Sequence, residues 1–300
     1  MISEQLEKKR RWPAFDDLFI LSQYLTPQHA LSRVAGLIAD SRYEPLKNAF
    51  IRWFIQRYQV NMDEALLPNA EDYPTFNHFF TRALKPDART FVSGPNELAC
   101  PVDGAISQLG QIEQGRIFQA KGHHFDLQEL LGGDPANAAL FEGGQFATIY
   151  LSPKDYHRIH MPVSGTLRTM VHVPGDLFSV NPVTAENVPN LFARNERVVA
   201  IFDTELGPMA MVLVGAMIVA SIETVWAGQI APRRRQVSTT HYGERATQQV
   251  RLEQGAEMGR FKLGSTVVML FPKGSMNWAD DLTAGGGVRL GQLLGQKIAP

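Results

Sequence analysis

From about residue 97 onward the sequence breaks into short apolar runs, and this constrains the fold more than any other feature of the chain. The runs cover residues 146–151, 165–173, 198–202, 211–214, 217–222 and 267–271. Turn-forming groups such as Glu142-Gly143-Gly144 and Pro174-Gly175-Asp176 lie between several of them. Runs this short, rich in β-branched side chains and divided by glycine and proline, read as buried strands. Their spacing predicts an antiparallel sandwich or barrel. The longest uncharged stretch, residues 207–222, contains Gly215 and is followed at once by Glu223. It is shorter than the roughly 20 residues a spanning helix needs, and reads as two buried strands.

The chain before this point has a different period. Thr26-Pro27 reads as a helix N-cap and first-turn proline, and Leu31, Val34, Leu37 and Ile38 then recur at helical spacing. After Pro45 a further helix carries Ala49, Phe50, Trp53 and Phe54, with Lys47, Arg52 and Arg57 among them. Residues 1–60 hold nine Lys/Arg against six Asp/Glu, about +3, while the whole chain is -1. An aromatic, basic helix of this kind either lies in a membrane interface or packs on its own domain, and the residues leave both readings open. Thr75-Phe76-Asn77-His78-Phe79-Phe80-Thr81-Arg82 starts another helix, with His78 and Arg82 four apart on one face. The expected organisation is α+β: a helical region over residues 1–85 and a β-rich domain over 86–300.

Composition removes several classes. With 20% charged residues and a balanced net charge, the chain is no global nucleic-acid binder. A single cysteine, Cys100, excludes an intramolecular disulfide and any multi-cysteine metal site. Lys8-Lys9-Arg10-Arg11 is not followed by the apolar core of a secretory leader.

Three polar constellations remain. Asp103 sits between Val102 and Gly104, where an aspartate either stabilises a turn or serves a site. His157 and His160 lie three apart in a loop between two apolar strands. No further ligands at matching spacing accompany them, so no metal is expected. Gly264-Ser265-Thr266 opens the apolar run that ends at Phe271, and a glycine at a strand entry marks a bend or a close backbone approach. Aspartate, histidine and serine from separate segments can form a base-activated nucleophile, in which Asp orients His and His takes the hydroxyl proton.

Six segments in register carry a resemblance. They are Pro101-Val102-Asp103-Gly104-Ala105-Ile106-Ser107, Gln119-Ala120-Lys121-Gly122-His123, Ser152-Pro153-Lys154-Asp155-Tyr156-His157-Arg158-Ile159-His160-Met161-Pro162, Val173-Pro174-Gly175-Asp176-Leu177-Phe178-Ser179-Val180-Asn181, Asn195-Glu196-Arg197 and Leu263-Gly264-Ser265-Thr266. Together they resemble the bacterial phosphatidylserine decarboxylase proenzymes. The resemblance implies self-cleavage between Gly264 and Ser265, giving a β chain of residues 1–264 and an α chain of residues 265–300 that stay together as a heterodimer. It implies that Ser265 attacks the Gly264 carbonyl and ends as a covalent pyruvoyl group. His160 is then the base and Asp103 its orienting partner, while His157 serves the decarboxylation step. The pyruvoyl ketone would form a Schiff base with phosphatidylserine, release carbon dioxide and yield phosphatidylethanolamine.

A diacyl lipid leaves a bilayer at a cost of about 0.8 kcal/mol per methylene, so the enzyme is expected to come to the membrane. Phe50, Trp53 and Phe54 are the candidate docking residues. The implied location is peripheral, on an anionic membrane surface at the cytoplasmic face of the bacterial cell membrane, with further homo-oligomerisation left open. Three rivals stand beside this reading. A pyruvoyl enzyme for a soluble amino acid needs no membrane face. A β-sandwich carrier that phosphorylates a histidine needs no scission. A Ser-His-Asp hydrolase keeps Ser265 as serine, although no nucleophile-elbow pattern surrounds it.

Overall fold

The computed structural model describes residues 13–217, 221–231, 236–243, 249–262 and 265–298. Three helices come first, Pro13–Leu25, Gln28–Ala39 and Glu44–Tyr58, and a short fourth, Phe76–Phe80, follows. Strands begin at Glu97 and run to Lys297, so the fold is α+β with an antiparallel core. Among the described residues no helix is long and apolar enough to cross a membrane.

The centre is a nine-stranded sheet, open at both edges among the described residues and therefore half of a sandwich rather than a barrel. Its order is Ser238–His241, Gly165–Val173, Arg197–Thr204, Gly207–Val214, Ser265–Phe271, Gln145–Leu151, Gly104–Gln111 and Gly287–Val288, with Arg251–Leu252 also paired to Gly165–Val173. The strand Ser265–Phe271 lies mid-sheet. Ser265 stands opposite Leu151 on one side, and Thr266 stands opposite Tyr150 on that side and Val214 on the other. All seven of its residues are buried.

Side chains alternate across a strand, and here they feed two cores. Val267, Met269 and Phe271 join a core with Ile149, Leu213, Ile159, Ile222 and Phe261. A four-stranded sheet covers this face, in the order Gly228–Ala231, Ser221–Thr224, Glu257–Lys262 and Arg158–His160. A smaller sheet of Glu97–Ala99, Leu293–Lys297 and Met276–Trp278 contributes Leu98, Leu294 and Met276 to the same core. Val268 and Leu270 point the other way, into a core with Phe125, Leu130, Phe141 and Phe192 from short helical turns and a hairpin. Each large side chain buried in this way contributes about 1.5–3 kcal/mol.

A third core forms around aromatic rings. Ile51, Phe54, Tyr73, Phe76, Phe79 and Phe80 pack together, tying the third and fourth helices into one body. The first two helices rest on the 175–179 segment by polar contacts. Gln23 accepts from the Ser179 amide at 3.0 Å and Gln28 from the Leu177 amide at 2.6 Å, while His29 Nε2 donates to the Gly175 carbonyl at 3.0 Å.

Several sequence expectations are corrected. The second helix begins at Gln28 with Pro27 in the cap position, and Thr26 instead donates to the Ser22 carbonyl at 2.7 Å, closing the helix before it. That helix buries Ser32, Gly36 and Ala39 and leaves Leu31, Val34, Leu37 and Ile38 exposed, so its apolar face points outward. Small residues allow the close approach, and the large ones face away from the body. His78 and Arg82 do not share a face: the helix ends at Phe80, His78 is exposed beside Thr75, and Arg82 is buried. The run 217–222 is not one strand, because Met217 lies in a turn and the strand is Ser221–Thr224. Lys8 to Arg11 lie outside the described residues, as do Leu263 and Gly264.

Candidate active site

Ser265 is the first residue of the central strand and is fully buried, yet its Oγ has no hydrogen-bond partner. A buried hydroxyl left unpaired costs about 1–3 kcal/mol; Thr148 and Thr266 share this state, and Ser265 is the one of the three that borders a cavity. Ser265 fronts a cavity of about 190 Å³ lined by Phe54, Phe80, Tyr150, Leu151, Pro153, Ser179, Val180, Ala216 and Met217. The wall is mostly apolar, and it draws on the third helix, the fourth helix, the sheet and the 179–180 segment together.

The loop after strand Gln145–Leu151 forms one rim. Pro153 has no amide hydrogen to continue the ladder, so pairing stops there. Ser152 donates through both its amide and its hydroxyl to Asp155 Oδ2, each at 2.7 Å, which folds the loop back on itself. This turns His157 inward to complete burial. Its ring stacks on Phe80 with centroids 4.0 Å apart and planes at 23°. Nε2 donates to the Ser152 carbonyl at 3.1 Å, so the proton sits on Nε2, and the buried Nδ1 is left bare with no partner. Burial first, and the Arg82 cation second, push the imidazole down to about 3. At neutral pH His157 is uncharged.

His160 ends the strand Arg158–His160 and lies opposite Glu257. Nδ1 donates to the Gly255 carbonyl at 2.8 Å, which leaves Nε2 to accept from the Tyr156 hydroxyl at 3.1 Å. Burial holds its imidazole below the ordinary histidine value. The ring is therefore a neutral base with its lone pair occupied by Tyr156.

Asp103 is placed by the sheet edge that follows it. A Cβ on Gly104 would stand 2.4 Å from the Tyr150 carbonyl oxygen, so only glycine lets the strand approach there. The Asp103 carboxylate accepts from Arg89 Nε at 3.0 Å and from Arg89 Nη2, and from the Leu290 amide at 2.8 Å. Arg89 also bonds Glu64 at 2.7 Å.

The structure brings Ser265 and His157 to a common wall through Phe80. No hydrogen bond among the described residues joins Ser265, His160 and Asp103, although the Asp103 charge acts on His160 through space. Of the candidate docking residues, Trp53 is 51% exposed and Phe50 is half-buried. Phe54 is only 6% exposed and lines the Ser265 cavity, so it is a wall of the site and not a surface residue. Sequence reasoning missed Phe80, Arg89 and Tyr156. Tyr156 sits inside the His157/His160 segment and Phe80 inside an aromatic run, but nothing in the Pro86–Pro95 stretch singled out Arg89.

Comparison with known proteins follows the same residues. The phosphatidylserine decarboxylase family model matches residues 76–296, and a second model, PSD, matches residues 18–59. The phosphatidylserine decarboxylase proenzyme of Pseudomonas putida is 64% identical over 281 residues, covering 94% of this chain and 98% of its own. That of Hahella chejuensis is 65% identical over 284 residues, covering 94% of each chain. That of Pseudomonas fluorescens is 62% identical over 282 residues, covering 94% of this chain and 99% of its own. With the fold, the buried serine and matches spanning nearly the whole chain in agreement, the protein belongs to the phosphatidylserine decarboxylase family.

Proposed function

We propose that this decarboxylase is made as a precursor, that it cuts itself between Gly264 and Ser265, and that Ser265 becomes its pyruvoyl group. The observation that carries the reading is the buried, unpartnered Ser265 Oγ at the mouth of the apolar cavity. The position fits such a group: Ser265 itself is buried, and it borders a small cavity, open on one side, through which the head of an amine substrate could enter. Gly264 lies outside the described residues.

A serine hydroxyl is a weak nucleophile near neutral pH and needs a base. His160 is suited to the role because its Nδ1 proton is committed to Gly255, which leaves Nε2 as the accepting nitrogen, now bonded by the Tyr156 hydroxyl. In this reading Nε2 exchanges the Tyr156 hydroxyl for Ser265 Oγ as the precursor cuts, and Asp103, held by Arg89 and the Leu290 amide, supports the imidazolium that forms. Attack on the Gly264 carbonyl converts the amide to an ester. β-Elimination breaks the ester, and hydrolysis of the dehydroalanine left behind releases ammonia. The pyruvoyl group supplies an electron sink for loss of carbon dioxide from phosphatidylserine. His157, neutral and with a bare Nδ1 beside the cavity wall, then handles the proton at the reacting carbon.

The helical region 1–85 brings this site to an anionic membrane surface, at the cytoplasmic face, as a peripheral association. Leu18, Leu21, Leu25, Val34, Leu37 and Trp53 are all exposed on the first three helices, with Leu37 at 77%. That is a far larger apolar display than a single scattered side chain.

Intact mass under denaturing conditions tests the processing. Two species are expected, residues 1–264 and a 265–300 peptide lighter by one ammonia than its serine form. A single full-length mass from folded, purified protein would overturn the proposal.

A further inference from the structure

Arg82 is a basic side chain beside the site that the chemistry above does not use. It is 4% exposed, and no carboxylate among the described residues pairs with it. Its Nη2 donates to the Lys154 carbonyl at 2.9 Å and to the Asp155 carbonyl at 3.3 Å. Its Nε and Nη1 are buried without any partner, and its guanidinium carbon stands 5.7 Å from the Phe79 ring centroid. Burying an arginine in this state is costly, and a chain that needed only packing here would place an apolar residue.

The neighbours show what the cost supports. Arg82 follows directly on Phe80-Thr81, and these three residues grip the His157 loop. The Phe80 ring stacks on His157, Arg158 Nε donates to the Thr81 carbonyl at 2.9 Å, and Arg82 holds the two carbonyls just ahead of Tyr156. We propose that Arg82 is a positioning residue for decarboxylation: it fixes the Ser152–His157 loop through two carbonyls and sets a buried cation, with no carboxylate in direct contact, that acts on the His157 ring through space. The inference rests on the reading that His157 serves the decarboxylation step.

Among the described residues Arg82 is the charged group that acts on His157 through space, whereas Tyr73, Asp103, Asp155 and Glu64 act on Arg82 itself. The cation therefore disfavours the imidazolium, adding to the effect of burial. The loop contact and the charge work in one direction. The first locks the ring with Nε2 on the Ser152 carbonyl, and the second keeps Nδ1 unprotonated.

The test uses full-length, self-processed protein carrying R82M, R82K or H157Q, with turnover of phosphatidylserine in detergent micelles normalised to the cleaved fraction. ¹⁵N-histidine NMR reads the tautomer and titration of His157. For R82M, turnover falls by about 10²-fold, as expected for a misplaced reacting group. Its His157 midpoint rises by about one pH unit or more, from loss of the nearby cation. R82K keeps the low midpoint but loses turnover, because an ammonium cannot hold both carbonyls as the planar fork does. Processed R82M with the turnover and the His157 titration of the unmodified chain would overturn the proposal. Should R82M not fold, R82K decides: undiminished turnover overturns the clamp. H157Q separates the two readings, since full turnover in H157Q removes His157 from the step, while an inactive H157Q beside a normal R82M removes Arg82 alone.

Discussion

Phe80 and His157 stack at 4.0 Å, and the same Phe80 side chain lines the cavity that Ser265 fronts. A single ring thus sets both the shape of the cavity and the plane of the imidazole beside it. Replacing Phe80 with Ala should cost about 3–5 kcal/mol of stability, the usual penalty for an emptied aromatic site. Phe80→Leu should keep most of the stability and still lower turnover, because an aliphatic chain cannot hold the ring plane. Urea unfolding alongside turnover separates these effects, and a Leu variant with unchanged turnover would show the stack to be packing alone.

Ser265→Ala removes the hydroxyl proposed to attack and little else, since that hydroxyl makes no hydrogen bond among the described residues. The variant should fold, remain a single 300-residue chain and have no decarboxylase activity. His160→Asn should slow scission by about 10²–10⁴-fold, the usual worth of a general base. Both outcomes are read by mass over a time course. Normal processing in the His160 variant would move the base to another residue.

The buried, neutral His157 makes stability depend on pH with a definite sign. Its folded value, about 3, lies below the ordinary 6.5, so between these limits the unfolded chain binds more protons. Stability is therefore present in full above pH 6.5 and is lost as pH falls toward 3. From pH 7 to pH 5 the loss from this residue is about 2 kcal/mol. His160, also held below its ordinary value, acts in the same direction. Denaturant titrations at the two pH values should show a smaller difference in His157→Gln than in the unmodified chain.

Arg89 and Asp103 form a buried pair, with side chains 7% and 11% exposed. Arg89→Met strands the carboxylate with the Leu290 amide as its remaining contact and should cost about 3–5 kcal/mol. Arg89→Lys should recover part of this. A melting temperature unmoved by Arg89→Met would show that the Leu290 amide and solvent already carry the charge.

Leu37→Glu and Trp53→Ser should lower sedimentation with anionic phosphatidylserine-containing liposomes and leave self-cleavage unchanged. Phe54→Ser should do the reverse, harming stability and processing, because Phe54 is buried beside the cavity. Equal liposome binding by all three variants would place the membrane contact elsewhere.

The strands were legible because short, β-branched runs survive even where both faces are buried, and turn residues mark their limits. Ser265–Phe271 starts two residues before the apolar run, at the serine itself, because strand pairing does not require an apolar side chain. The direction of the helical faces was left open for a physical reason. A period of 3.6 locates an apolar face but carries no sign for its direction. The second helix turns Val34 and Leu37 to solvent while burying Ser32, Gly36 and Ala39. The motif segments pointed to Asp103, His157, His160 and Ser265 by type and order. Their long-range partners were not legible, since Arg89 and Gly255 reach Asp103 and His160 only through the tertiary fold.

The place of Ser265–Phe271 in the sheet has a consequence for a severed chain. Its register runs unbroken to Gln145–Leu151 on one side and to Gly207–Val214 on the other, and both neighbours lie upstream of residue 264. A break just ahead of Ser265 cuts connectivity at the strand's end without removing a rung from either ladder. The downstream peptide also supplies Leu293–Lys297 to a second sheet, between Glu97–Ala99 and Met276–Trp278. With Gly287–Val288 paired to Gly104–Gln111 as well, the two pieces are woven through each other at three separate seams. Parting them amounts to unfolding the protein, so a nick becomes a permanent new chain end in an otherwise undisturbed body.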